Sequence, residues 1–410
     1  MVSGFNILKK LLVYSTSFYE VSKLNKADIL LTCGDTDRGF FYQGMMYAQI
    51  LDSLNERFKD KGLNTITIAK PYSRFFGSKA FGDVRLLDGT FARAYYGNII
   101  LNSLQQGKNK NLVVNAWHHI VEKVCPKVIV GIQPSPELCI AAKSEGIEVW
   151  DLQHGVISGE SYYGESYREE FGGRGWPDGI LCWDARSEKW ISENVKEDIQ
   201  TRVVGNPWFL RFMHPRPYDE LVTSVNKDLQ NIKTIKPVIL VTLQWGLANS
   251  DEYYLGMNRA LIDYIKNDGL QFMWWIRIHP VLLNSTNIDI LETLKNEFYG
   301  SDNVTWKECT DLPLPVVLKN VSLHVTSHSA VTIEASWFGI KTALLNPSRE
   351  LLLEYFDDQI NTGFAEVIEA DTISICNWLK TNITEVTKNI KGMSIGPLDD
   401  FVLKYRSDAE

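Results

Sequence analysis

The stretch WWIRIHP, residues 274–280, ends an apolar run in Arg277, His279 and Pro280. In an extended strand alternate residues share a face, so Arg277 and His279 point the same way. An imidazole at a strand mouth can donate a hydrogen bond to an anion and offset charge on a leaving group; it can equally be a histidine satisfied by the strand end. The stretch VTSHSAVTIEASWFG, residues 325–339, places Thr326, Ser327, His328 and Ser329 where a strand gives way to a helix. Hydroxyls together with the free N–H groups of a helix start suit a phosphate, although a serine there is also an ordinary N-cap.

A third stretch, EVWDLQHGVISGE at residues 148–160, leaves an apolar run through Asp151, Gln153 and His154. His154 or Glu160 could take a proton from a hydroxyl group. Gln153 and His154 could instead satisfy backbone groups in a tight turn. The loop that follows is rich in tyrosine and glycine; its Arg168 and Arg174 suit an anionic ligand, and its tyrosines and Trp176 suit sugar rings. CGDTDRG, residues 33–39, holds Asp35 and Asp37, with no further metal ligands clustered beside them, so a metal is not expected there. Asp35 is another candidate acid, and Glu137 in QPSPELC is either a second such carboxylate or a helix cap. TLQWG adds Gln244, with Gly246 permitting close backbone approach.

The elements that must position these residues alternate. Short apolar strands (ADILLTC, NTITIAK, KVIVGIQ, IEVWDLQ, DGILCWD, TRVVG) are separated by helical stretches such as FFYQGMMYAQILDSLNERFKDKG and SPELCIAAKSEG. After residue 236 a second alternation runs through PVILVTLQWG, YYLGMNRALIDYIKNDG, QFMWWIRIHP, SLHVTS and KTALLNP, and the tail from Ala365 reads as helical. This pattern predicts an α/β chain of two Rossmann-like, doubly wound parallel domains. The expected boundaries are residues 1–207, a charged, proline-containing linker at 208–236, a second domain at 237–390, and a segment at 391–410 that crosses back to the first. Each candidate cluster falls at a strand's carboxyl end, where open parallel sheets bind ligands. Two such sheets facing each other would share a cleft.

Composition narrows the classes. With 45% hydrophobic residues, 22% charged residues and a net charge of −8, the chain reads as globular and carries no basic stripe for nucleic acid. Six cysteines without a CxxC pair read as reduced thiols in a cytoplasmic protein. No apolar run is long enough to span a membrane. Phe5, Leu8, Leu11, Leu12 and Phe18 have helical spacing, read either as packing on their own domain or as a peripheral contact with the inner membrane surface aided by Lys9 and Lys10. GxGxxG, P-loop and GxSxG patterns are all missing, so neither a dinucleotide fold nor a hydrolase elbow is indicated.

The order strand, His279-Pro280, then Ser327-x-Ser329 at a strand-to-helix turn with Glu334, and later Gly339 and Asn346-Pro347, resembles the donor half of bacterial GT-B glycosyltransferases of capsule and O-antigen synthesis. The nearest resemblance is to sialyltransferases, Kdo transferases and the related polyol-phosphate transferases of teichoic acid synthesis. It implies a donor-binding set of Gln244, Gly246, Arg277, His279, Pro280, Ser327, Ser329 and Glu334, with Glu334 reaching a ribose hydroxyl. It implies catalytic candidates His154, Glu160 and Asp35, and an acceptor-binding set of Gln153, Arg168 and Arg174. The expected co-substrate is a nucleotide sugar, such as a CMP-linked keto-sugar, with no separate cofactor. The expected partner is a glycan or lipid-linked glycan acceptor. Transfer from a CDP-polyol and nucleotide-sugar epimerisation on the same fold are the alternatives.

Overall fold

A computed structural model of the chain describes residues 21–34, 37–70, 80–82, 84–104, 111–157, 173–195, 198–229, 235–244, 252–283, 289–346, 348–383 and 393–406. Asp35, Glu160, Arg168, Gly246 and the N-terminal apolar segment lie outside the described residues. The chain divides into two units, Met1–Trp208 together with Ser394–Glu410, and Phe209–Met393.

Unit 1 contains β1 (Ile29–Cys33), β2 (Phe40–Tyr42), β3 (Met45–Tyr47), β4 (Thr65–Ala69), β5 (Val84–Arg85), β6 (Val128–Gly131), β7 (Glu148–Leu152), β8 (Gly179–Cys182) and β9 (Gln200–Val203). Its main sheet has the order β5-β4-β1-β6-β7-β8-β9, every pair parallel. Unit 2 contains β10 (Val238–Thr242), β11 (Tyr253–Tyr254), β12 (Met257–Asn258), β13 (Met273–Arg277), β14 (Val304–Thr305), β15 (Leu323–Thr326), β16 (Thr342–Leu344) and β17 (Ala365–Val367). Its main sheet has the order β14-β13-β10-β15-β16-β17, again all parallel. Both begin 3-2-1-4-5-6 in chain order, the doubly wound Rossmann arrangement, so each sheet has a point where the winding reverses: β1/β6 in unit 1 and β10/β15 in unit 2.

The central strands β1, β6, β10 and β15 are buried along their whole length, because helices cover both faces of the sheets. In unit 2, Trp274, Ile239, Leu261, Leu294 and Leu379 belong to one core cluster. In unit 1, Trp117 and Phe91 pack 4.8 Å apart in the cluster around Leu30 and Ile129. The C-terminal helix Gly396–Leu403 belongs to unit 1: Phe401 meets Trp150 edge-on, and Asp399 pairs with Arg57.

Several expectations are corrected. Phe40–Tyr47 and Tyr253–Asn258 form hairpins rather than the first turns of helices. Each is closed by two residues at positive φ, Gln43-Gly44 and Leu255-Gly256, the backbone of a tight two-residue turn. The helices begin only after them, at Gln49 and Arg259. Residues 365–367 form the edge strand β17. The stretch 208–236 carries helices Pro207–Met213 and Glu220–Leu229. Phe209, Leu210 and Phe212 are buried there, and Arg211 grips Asp219 at 2.8 and 2.9 Å. Among the described residues no helix is long and apolar enough to cross a membrane.

Candidate functional site

In unit 2, parallel register aligns the strand ends. Arg277 pairs with Thr242, the Thr326 hydroxyl donates to the Thr242 carbonyl at 3.0 Å, and Thr326 pairs with Leu344. The stretches 277–280 and 326–329 therefore leave the sheet at one level, on either side of β10. Two strand spacings separate them, about 10 Å. This is the reversal point of the sheet, the position at which this architecture binds ligands.

Beyond β15, Ser327 and Ser329 are buried and His328 is half-buried. Ser327 shares a hydrogen bond with the Tyr253 hydroxyl, which also donates to the Leu345 carbonyl at 3.3 Å. Ser329 Oγ accepts from the Val331 N–H at 3.3 Å, just ahead of the short helix Val331–Trp337. His328, named with this cluster from the sequence, was given no role there. The Ser348 N–H donates to Asn346 Oδ1 at 2.9 Å, which turns the amide so that Nδ2 faces His328 Nδ1 at 3.2 Å. An amide nitrogen only donates, so Nδ1 accepts and the ring proton sits on Nε2. Burial lowers the pKa of His328, so the ring is a neutral Nε2–H donor.

Beyond β13, the His279 carbonyl accepts from Leu282 and Leu283 and starts the short helix Pro280–Leu283. Its imidazole is half-buried, and burial lowers its pKa too. Arg277 is corrected from its expected role. Its guanidinium donates to the Cys309 carbonyl and, at 2.8 Å, to the Leu312 carbonyl. It thus holds the end of helix Lys307–Asp311 against the sheet. Burial pushes the Glu334 carboxyl up to about 8, with the Arg277 charge pulling the other way. Glu334 is therefore largely protonated at neutral pH, able to donate as well as accept.

Behind the site, His324 is wholly buried in β15. Its Nε2 lies 2.9 Å from Thr242 Oγ1 and its Nδ1 lies 3.0 Å from Thr342 Oγ1, linking β10, β15 and β16 side by side. Gln244 is buried, and its N–H donates to the Gly256 carbonyl at 3.0 Å. A Cβ on Gly256 would stand 2.3 Å from the Gln244 carbonyl oxygen, so the β11–β12 turn packs on β10's exit only because that residue is glycine. A cavity of about 700 Å³ opens on Tyr253, Leu345 and Asn346, with Arg259 and Arg349 among its other walls. Another, of about 570 Å³, opens on Ile278, Trp306, Thr310 and Asp311.

In unit 1 the DLQHG stretch is largely structural. Asp151 accepts from the Gln133 N–H at 2.9 Å, steadying the exit of β6. Gln153, only 2% exposed, donates to the Gly155 carbonyl at 2.8 Å and Ser187 Oγ at 3.0 Å, and accepts from the Trp183 N–H at 2.7 Å. Its amide ties the turn to the next helix and is not presented to a ligand, contrary to expectation. His154 is half-buried at this exit, and Arg174 is exposed. Trp176 is buried beside Ile157, Ile180 and Ile191 rather than offered to a sugar. Asp37 accepts from the Gly34 N–H at 2.7 Å and closes its own loop. Glu137 follows the Ser135 cap in the first turn of helix Pro136–Ser144.

The sequence matches no protein-family profile and no curated relative. Solved structures do match. The UDP-GlcNAc 2-epimerase of Methanocaldococcus jannaschii superposes with a TM-score of 0.58 at 12% identity, over 92% of this chain and 99% of that one. The Neisseria meningitidis UDP-GlcNAc 2-epimerase, bound to UDP-GlcNAc, gives 0.56 at 13% identity over 92% and 98%. The wall teichoic acid polymerase TagF gives 0.55 at 11% identity over 98% and 95%. The fold is that of the GT-B class, two Rossmann-like domains in one chain.

Proposed function

We propose that the chain is an enzyme acting on a nucleotide-activated sugar, with the nucleotide's phosphates held in unit 2 by Ser327, Ser329, the Nε2–H of His328 and His279. The observation that carries this reading is the alignment of 277–280 and 326–329 at the reversal point of the sheet, flanked by cavities for the base and the sugar. Neutral imidazole and hydroxyl donors stabilise a departing phosphate without a proton having to be supplied first. Glu334 bonds a ribose hydroxyl in its protonated form. The preferred reaction is glycosyl transfer to a surface glycan, with a CMP-linked keto-sugar as the donor tested first, and His154 and Glu160 as the unit 1 groups to test as bases.

A second reading is nucleotide-sugar epimerisation, favoured by the epimerases above, which match nearly end to end at TM-scores of 0.56 and 0.58. Incubation with CMP-, CDP- and UDP-linked donors, with and without a glycan acceptor, followed by mass spectrometry and NMR, separates the two. Transfer requires acceptor and releases nucleotide. Epimerisation gives an isomer of unchanged mass from the donor alone. Turnover of no donor under either condition would overturn both.

A further inference from the structure

Outside this site, three groups suited to a metal converge on the outer face of helix Leu112–Val124 in unit 1. His118 Nδ1 and His119 Nδ1 each lie 3.4 Å from Glu122 Oε2, and the three ligand atoms all fall within 4.8 Å of one another. Adjacent helix residues diverge by about 100°, and a residue three and four positions on lies between them, which is why one carboxylate meets both rings. In a tetrahedral zinc site with bonds of about 2.0–2.2 Å, neighbouring ligand atoms stand about 3.4 Å apart.

A second contact points the same way. His118 Nε2 lies 2.7 Å from Glu145 Oε1, at the end of helix Pro136–Ser144. A carboxylate accepts, so Nε2 carries the ring proton and Nδ1 turns its lone pair towards Glu122 and His119. A carboxylate bonded to the far nitrogen of a ligating histidine is the usual outer support of a metal site. His119 and Glu122 are exposed, leaving room for water or a further ligand.

We propose that His118, His119 and Glu122 bind a borderline divalent transition metal such as zinc, with Glu145 as the positioning residue for His118. Two imidazoles and one carboxylate select zinc, nickel, cobalt or copper over magnesium and calcium. The helix runs into the amino end of β6, away from the strand ends that carry the candidate chemistry. The metal therefore ties helices Leu112–Val124 and Pro136–Ser144 together and takes no part in turnover.

The test is calorimetric titration of the full chain with zinc chloride. A Cys125→Ser background removes the exposed thiol as a competitor. One zinc per chain is expected, weakened at least tenfold by His119→Ala and by Glu122→Gln, and about tenfold by Glu145→Gln. Magnesium should give no heat. His119 and Glu122 face solvent, so their variants fold, which circular dichroism checks. Binding only in the millimolar range, or zinc affinity unchanged in both His119→Ala and Glu122→Gln, overturns the site.

Discussion

Acid should weaken unit 2 most strongly through its wholly buried histidine. His324 is wholly enclosed between the Thr242 and Thr342 hydroxyls, and burial lowers its pKa from 6.5 to about 3. The unfolded chain therefore takes up a proton near pH 6.5 that the folded chain refuses until about pH 3. The stabilisation is complete above pH 6.5 and is lost as pH falls through that window. Each pH unit in the window costs about 1.4 kcal/mol, which is about 2 kcal/mol between pH 6.5 and 5 and about 5 kcal/mol over the whole range. His324→Gln keeps a hydrogen-bonding side chain but cannot titrate, and losing the fit between two hydroxyls should cost it about 1–3 kcal/mol at pH 7. Urea unfolding of both proteins, followed through the unit 2 transition from pH 7.5 to 4.5, measures the difference directly. The wild type should lose about 2 kcal/mol more than the variant on going to pH 5. His279 and His328 contribute equally to both and cancel. Parallel pH profiles would refute the reasoning.

Gly256→Ala should destabilise unit 2 by about 1–3 kcal/mol, because φ is +74° and the new Cβ meets the Gln244 carbonyl; differential scanning calorimetry reads it. Gln153→Ala should cost unit 1 about 1–3 kcal/mol, since it strands the buried Trp183 N–H, yet leave nucleotide affinity in unit 2 unchanged by calorimetric titration. Glu334→Gln should keep nucleotide affinity at pH 7 within about threefold, whereas Glu334→Ala should lose about tenfold, the equivalent of one hydrogen bond. Equal losses in the two Glu334 variants would show that the ionised carboxylate is the working form.

The parallel sheets were legible because their central strands are continuous apolar runs, and the strand-end clusters were legible because polar residues follow those runs directly. The hairpins were not. Phe40–Tyr47 and Tyr253–Asn258 carry apolar residues on both sides of the turn, so helical periodicity extended through them. The signal that would have separated them is Gly44 or Gly256 after a residue able to take positive φ. Gln153 and Arg277 looked like ligand-binding groups because sequence gives residue type but not partner; their partners, Trp183 and Ser187 in one case and Cys309 and Leu312 in the other, lie some thirty residues away. His328 was named but given no role for the converse reason, since its donor role depends on Asn346, eighteen positions later. The His118–His119–Glu122 spacing was in plain view, but Glu145, which orients His118, reaches it only through the packing of two helices.

The most direct test of the nucleotide site is a crystal structure of the full chain soaked with CMP, the nucleotide that transfer from a CMP-linked sugar and polyol-phosphate transfer from a CDP-polyol both release. Phosphate oxygens within about 3 Å of the Ser327 and Ser329 hydroxyls or His328 Nε2 are the predicted result. CMP bound with its phosphate at the β1 and β6 exits of unit 1, with Ser327, His328 and Ser329 untouched, would contradict it.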